Sequence, residues 1–437
     1  MANKEIKIKM NKIKKLLNIN KKREFSFMIV GTLMIIALML IPTGYEDAEI
    51  YTEADRCKVE VLSTDESAVY SSGLIQSGEQ ICEVKILTGK FKGQTMSGVN
   101  MLSGSLESDK IYEVGDKALA VVSMDDDGNA TRVTMSDYYR LDKELILAII
   151  FTLFLIAIAG ANGFRAVFSF VVTVLTIWKI MVPLYLKGVS PVPVGLFITA
   201  ILTLMIIYFV YGFDIKTLSA FSGSMLGTVT TCVLGVIFTT VFKIHGAVMN
   251  SSESLLYAGY QDLNLTQIFM SSIFIGASGA MMDLAVDITS AVNEVIEKKP
   301  SIGWKEAFGS GMNVARSALG TMTTTLLLAY SGSCIALLMV FMAQGTPVLH
   351  ILNYKYVSAE ILDTIVGSFG LATVAPFTAL TSSLLLVKRH RKQDDAIVVT
   401  EIEERELKLF PSAEVSDVIS ETETPTEDGN LQTLSEN

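Results

Sequence analysis

Two kinds of patterning divide the chain. Between residues 43 and 143 apolar and polar residues alternate: Cys57, Val59 and Val61 with Lys58 and Glu60, and Cys82, Val84 and Ile86 with Glu83 and Lys85. Period two marks strands that bury one face. Thr88-Gly89-Lys90 reads as a turn into a strand near Gln94–Val99. Asp125-Asp126-Asp127-Gly128-Asn129 reads as a turn between Leu119–Met124 and Ala130–Met135. Five short strands in this space predict a small barrel or sandwich of OB-like type.

Elsewhere the alternation gives way to continuous apolar runs. The first is 25–42 (FSFMIVGTLMIIALMLIP); seven more follow, at roughly 144–162, 164–186, 192–211, 217–242, 265–295, 315–343 and 361–387. Runs of this length match the hydrocarbon thickness of a bilayer. The expected fold class is therefore mainly α, a polytopic membrane helical bundle of about eight spans with a small extracytoplasmic β domain. The expected organisation is a basic N-terminus (1–24), an anchor helix (25–42), the β domain (43–143), a seven-span bundle (144–387) and an acidic, disordered tail (388–437).

Composition agrees: 50% of the 437 residues are hydrophobic and 18% charged, where soluble domains carry about a quarter. The net charge of −10 hides a split between a basic start and an acidic end. Nine Lys and Arg residues between Lys4 and Arg23 precede the first run. A long basic region and no small-x-small site after Pro42 favour an uncleaved anchor over a signal peptide, with the N-terminus inside. Arg165, Lys216, Lys298, Lys299, Lys305 and the run Lys388-Arg389-His390-Arg391-Lys392 then fall on the cytoplasmic side, which returns the C-terminus to the cytoplasm of a cell-membrane protein. The basic block abuts a hydrophobic run, so its expected partner is the lipid bilayer and not nucleic acid. Cys57 and Cys82 lie on the outer side, where a disulfide could persist, but antiparallel neighbouring strands would put the two thiols at opposite ends.

Candidate chemistry concentrates in two runs. In 265–295, Gly276, Ala280, Asp283, Asp287, Ser290 and Glu294 recur three or four apart on one face. Two carboxylates one turn apart in a span call for a proton, a cation or a hydrogen-bond network. Both a coupling-ion site and a buried structural network fit Asp283 and Asp287. With cytoplasmic edges near 296 and 314, Arg316 is expected level with Asn293 and Glu294, giving an Arg316–Glu294 ion pair, and Asp287 level with Thr323 and Thr324. Thr321, Thr324 and Thr325 are the pathway-lining candidates beside Asp283, Asp287 and Ser290; backbone back-bonding is the plainer role for the threonines. In 217–242, Ser219, Gly223, Gly227, Thr231 and Gly235 form a small-residue row for helix packing, as does Gly276 in the next run. Pro376 predicts a kink in the last span.

No phosphate-binding loop and no HExxH zinc motif is present. Gly276-Ala277-Ser278-Gly279 matches the G-x-S-G string of rhomboid-type intramembrane proteases, but no run contains a histidine to act as base. The asparto-rich turn lacks the alternating ligands and closing glutamate of a calcium loop. Neither an enzyme nor a resident metal or cofactor is expected.

The chain resembles the YibE/F-like family of bacterial membrane proteins. Gly276–Glu294 (GASGAMMDLAVDITSAVNE) is similar to that family's GA-x-GA-x-MD helix, and Gly309–Tyr330 (GSGMNVARSALGTMTTTLLLAY) to its SGMNIGRD-x-x-GTMTNTL-x-LAY block. The last span with Gly367–Pro376 and the β region also fit, so the likeness covers roughly 50–387. Two positions depart: Ala315-Arg316-Ser317 lacks the acidic residue, and Thr323-Thr324-Thr325 lacks the asparagine. The resemblance implies a multi-pass protein with a transport function and leaves the substrate open. The expected function is a transporter or permease for a small solute or cation, coupled through the embedded carboxylates. The rival is a receptor or scaffold whose β domain binds a ligand or partner. A second copy of the chain or another membrane protein is a further candidate partner.

Overall fold

The alternating stretch buries its apolar face inside a barrel. In the computed structural model, which describes residues 27–46 and 54–409, five strands follow one another: β1 (Ala54–Ser72), β2 (Ile75–Ile86), β3 (Thr95–Ser103), β4 (Lys117–Met124) and β5 (Ala130–Tyr138). They close in the order β1-β2-β3-β5-β4. The start of β1 pairs with β4 and the rest with β2; register shifts after Val61 and Asp65 let this 19-residue strand curve between them. A short parallel pairing of Gly98–Val99 with Val133–Thr134 completes the closure. Such a five-stranded barrel is the OB-like arrangement expected.

Cys57, Val59 and Val61 face inward, as do Cys82, Val84 and Ile86. Cys82 stands opposite Thr64, seven positions along β1 from Cys57, and both thiols are free. Burial pushes each up to about 11. The aspartate-rich turn caps itself: Asp125 Oδ1 accepts from the Asn129 N–H at 2.6 Å, and Gly128 takes the left-handed φ of 79°. Gln80, fully buried, clips the long loop before β4 to the barrel. Its Nε2 donates to the Tyr112 carbonyl (2.8 Å), and its Oε1 accepts from the Tyr112 N–H (3.0 Å) and from Asn100 Nδ2 (3.1 Å).

The helices are α1 (Phe27–Leu40), α2 (Leu141–Ala159), α3 (Ala161–Thr176) running through a π turn (Ile177–Met181) into α4 (Val182–Leu186), and α5 (Pro191–Tyr211). Then come α6 (Ile215–Val241), α7 (Ser252–Tyr257), α8 (Leu265–Lys298), α9 (Trp304–Ser331), α10 (Ile335–Ala343), α11 (Val348–Leu352) and α12 (Lys355–Leu409). Among the described residues, five helices are long and apolar enough to cross a membrane: Ala161–Leu186, Pro191–Tyr211, Ile215–Val241, Leu265–Lys298 and Lys355–Arg391. The α9–α10 pair makes a sixth if it counts as one span, bent by 63°. Eight spans are not reached on this basis, because α1 is shorter and α2 opens on Asp142, Lys143 and Glu144.

Chain contacts divide the protein into two compact units, residues up to Ile198 with Ser254–Asn264, and Thr199–Glu253 with Leu265 onward. In the first, α2 and α3 meet at Gly160 (φ 56°), three residues before Gly163, the break between the expected runs 144–162 and 164–186. Gly163 and Arg165 lie inside α3 instead. A Cβ on Gly163 would stand 2.4 Å from the Leu155 carbonyl, so only glycine permits that tight turn, and the buried Arg165 guanidinium lies 4.5 Å from the Phe27 ring.

The second unit is built on α6, α8 and α12. Glycines bring the helices together: a Cβ on Gly223 would lie 2.2 Å from Thr378 Oγ1, on Gly227 2.0 Å from Val374 Cγ2, and on Gly370 1.8 Å from Thr231 Oγ1. Close backbones bring hydroxyls into contact. Ser219 Oγ donates to Ser382 Oγ (3.0 Å), Thr289 Oγ1 lies 2.9 Å from the same oxygen, and Thr381 Oγ1 donates to the Ser219 carbonyl (3.0 Å). Dispersion and such interhelical bonds hold helices together where lipid removes the hydrophobic drive. The final helix also departs from expectation. It continues to Leu409, into the stretch from 388 expected to be a disordered tail, because extending a helix already anchored by packing avoids the cost of nucleation. The basic stretch 1–24 and residues 410–437 lie outside the described residues.

Candidate functional site

A 480 Å³ cavity opens within the second unit, where the start of α12 meets α8, α10 and the segment before α7. Asn250, Ser272, Tyr354, Tyr356, Glu360 and Asp363 supply its polar lining, and Phe269, Leu337 and Ala359 part of its apolar wall. Glu360 and Asp363 are one helical turn apart and so share a face. Asp363 Oδ1 is buried and accepts no hydrogen bond among the described residues. Tyr330 of α9 lies within electrostatic reach of both carboxylates. Gly276 makes room for it: a Cβ there would stand 2.8 Å from the Tyr330 hydroxyl.

Sequence reasoning missed Glu360 and Asp363. The last apolar run, 361–387, leaves Glu360 outside the span and Asp363 at its edge. The usable signal was a Glu-x-x-Asp pair in the first turns of a membrane-length helix, since ionisable groups there face a cavity or the bundle interior.

Asp283, Asp287 and Ser290 do not line this cavity. They lie on the exposed side of α8. Ser290 Oγ sits 2.6 Å from the Tyr211 hydroxyl, which donates to the Val286 carbonyl at 2.6 Å. Thr321, Thr324 and Thr325 are exposed on α9 and bond back to the carbonyls of Ala318, Gly320 and Thr321 at 2.9, 3.0 and 2.9 Å. This is the plainer of the two roles weighed for them. The expected Arg316–Glu294 pair is replaced by two local contacts. Glu294 pairs with Lys298 one turn along (2.6 Å), and Arg316 donates to Asn313 Oδ1 (3.3 Å).

The depths explain that correction. α9 begins at Trp304, eleven residues before the expected start, because Gly309, Ser310 and Asn313 interrupt the apolar run that the sequence reading relied on. Gly311 then packs on Val292, where an added Cβ would come within 2.8 Å of Val292 Cγ2. Arg316 lies five residues beyond Gly311 and Asp287 five before Val292, about 7.5 Å along each antiparallel helix. Arg316 is therefore level with Asp287, not with Glu294.

The small-residue row divides by use. Gly223 and Gly227 are in forced contact with α12, whereas Gly235 faces Ile273 Cδ1 at an ordinary 3.6 Å. Pro376 lies inside α12, which the structure carries across it without a break in helical assignment. Where the last span ends, Asp214 caps α6 by accepting from the Lys216 N–H (3.0 Å) and pairs with Arg389. Burial opposes the Asp214 charge, but these two donors outweigh it and hold the carboxyl below its usual range.

A β barrel followed by at least five helices long and apolar enough to cross a membrane marks a membrane protein. Two family descriptions match it. YibE/F family N-terminal domain covers residues 53–138, nearly coincident with the barrel, and YibE/F-like protein covers residues 147–388. The chain belongs to the YibE/F-like family. Comparison with curated proteins and with solved structures finds no match.

Proposed function

We propose that this protein is a permease that moves a small cation, or a small solute coupled to a proton, through the cavity at the start of α12. The observation that carries this reading is Asp363, a carboxylate with an oxygen left without a donor beside Glu360 in a polar cavity of a membrane-length helix. Such a group is relieved by binding a proton or a cation, which is the elementary act of a coupled carrier. Tyr330 and Ser272 offer neutral oxygens nearby. In the topology we propose, α1 and α2 join the six membrane-length units to make eight spans. Both termini then lie in the cytoplasm and the barrel outside, as the lysine and arginine distribution supports.

Purified protein in liposomes loaded with a pH-sensitive dye tests this against a panel of monovalent and divalent cations and small solutes. Asp363→Asn should reduce flux at least tenfold and Glu360→Gln should shift its pH dependence, while Asp283→Asn retains flux. Loss in Asp283→Asn with normal flux in Asp363→Asn would move the site to the exposed side of α8. The receptor reading has one observation in its favour, the apolar tip of the β1–β2 hairpin, where Tyr70 and Leu74 are 75% and 83% exposed. Absence of flux for the whole panel, with ligand binding retained by the barrel, would favour it.

A further inference from the structure

The exposed side of the α8–α9 hairpin is unlike the rest of its unit. α6 turns Leu226, Val229 and Val233 outward, and α12 turns Ile365, Phe369 and Leu384 outward, as lipid-facing helices do. On α8 and α9 the exposed positions include Gly279, Asp283 and Asp287, and Arg316, Ser317 and Thr321. Charges and hydroxyls turned toward hydrocarbon are costly, so this face requires a cover.

Two observations say what covers it. Gly279 and Gly320 sit mid-helix, where glycine costs about 1 kcal/mol relative to alanine. Yet a Cβ at either would meet nothing within 4 Å. Their smallness has no use within the chain; it suits close approach by another helix. The second observation is charge. Arg316 has no carboxylate within ion-pair distance among the described residues and donates only to the neutral Asn313. Asp287, at the same depth, likewise takes part in no ion pair or hydrogen bond among them.

We propose that a second copy of this chain docks on the α8–α9 face about a two-fold axis along the membrane normal. Such an axis preserves depth, so each Arg316 meets the partner's Asp287, and the two pairs form at once. Any other partner would have to supply both charges at one depth, reversed in sign; a second copy does so automatically. Gly279, Gly320 and Ser317 let the four helices close. This inference does not depend on the cavity or on transport.

Differently tagged chains carrying Cys334→Ser with Asp287→Cys, and Cys334→Ser with Arg316→Cys, are co-expressed and oxidised in the membrane. The expected product is a disulfide-linked heterodimer carrying both tags, absent when the chains are mixed only after solubilisation. Absence of a disulfide-linked band carrying both tags in the co-expression overturns the proposal. Gly320→Leu provides a check that spares the monomer, because its side chain enters open space. It should keep the melting temperature of the solubilised monomer and lower the dimer fraction at least tenfold on native electrophoresis. A variant that stays dimeric overturns the proposed face.

Discussion

Replacing Gly223 by alanine puts a methyl carbon 2.6 Å from the Thr378 Cα and 2.8 Å from its Cβ, in addition to the contact with its hydroxyl. Backbone cannot swing aside as a side-chain end can. Restoring an ordinary separation of at least 3.4 Å moves α6 away from α12 by about 0.8 Å. That shift also stretches the Ser219–Ser382 and Thr381–Ser219 hydrogen bonds, which start at 3.0 Å. Overpacking costs about 1–3 kcal/mol, and three clashing atoms place this site toward the upper end. Alanine's better helix propensity returns about 1 kcal/mol, so the net loss is about 2 kcal/mol. Gly235→Ala, twelve residues along the same row, is the matched control. Its Cβ meets Ile273 at 3.6 Å, so it keeps the propensity gain without a clash. The two variants should differ by about 3 kcal/mol, or roughly 6–12 °C at the usual 2–4 °C per kcal/mol for domains of 150–250 residues. Thermal melts followed by fluorescence-detected size exclusion in one detergent measure this directly. Melting temperatures within about 2 °C of each other would refute the argument that α6 and α12 touch at Gly223 and not at Gly235.

Four further outcomes follow from the barrel and the helix ends. Gln80→Leu removes the clip on the loop before β4 and leaves the Tyr112 N–H and carbonyl without their partner; chemical denaturation should show a loss of about 2–4 kcal/mol in the barrel transition. Cys57 and Cys82, buried and pushed up to about 11, should resist alkylation at pH 8 until the barrel unfolds, as mass spectrometry of maleimide-treated protein would show. Their folded values are raised above the ordinary 9, so the unfolded chain releases its thiol protons first, and the barrel's stability should fall as pH rises from 9 toward 11. Asp214→Asn and Arg389→Gln should show a coupling of about 0.5–1 kcal/mol in a double-mutant thermal cycle, modest because the side chains remain 25% and 39% exposed; no coupling would mean that the pair does not tie α6 to α12.

Much of the architecture was readable before any coordinates. Period-two alternation at Cys57–Val61 and Cys82–Ile86 identified strands and their inward faces, because a half-buried sheet must present one apolar side. The expected turns at Gly89 and Gly128 fall where the left-handed backbone occurs, with φ of 87° and 79°. Apolar length located α5, α6 and α8 to within a few residues, and the membrane part of α12 with its start six residues too late. Amphipathic segments escaped the same reading. The first turns of α9 were passed over as too polar, and that one error carried Arg316 to the wrong depth and the wrong partner. Glu360 and Asp363 were passed over for a related reason, since charges near the end of an apolar run read as its boundary.

Taken alone, the sequence determined which long segments are apolar enough to cross a bilayer in five of the helices, that a small β domain precedes the bundle, and which family the chain resembles. Tertiary structure decided how each helix is turned and at what height it meets its neighbour. The physical reason is that apolar length sets insertion into lipid, whereas in lipid every apolar flank is equally well solvated. Rotation about a helix axis is then decided by close packing at Gly223, Gly227 and Gly370 and by hydroxyl contacts such as Ser219–Ser382, which exist only once the partners are in place. Those contacts put Asp363 in a cavity and leave Asp287 level with Arg316 on the exposed side.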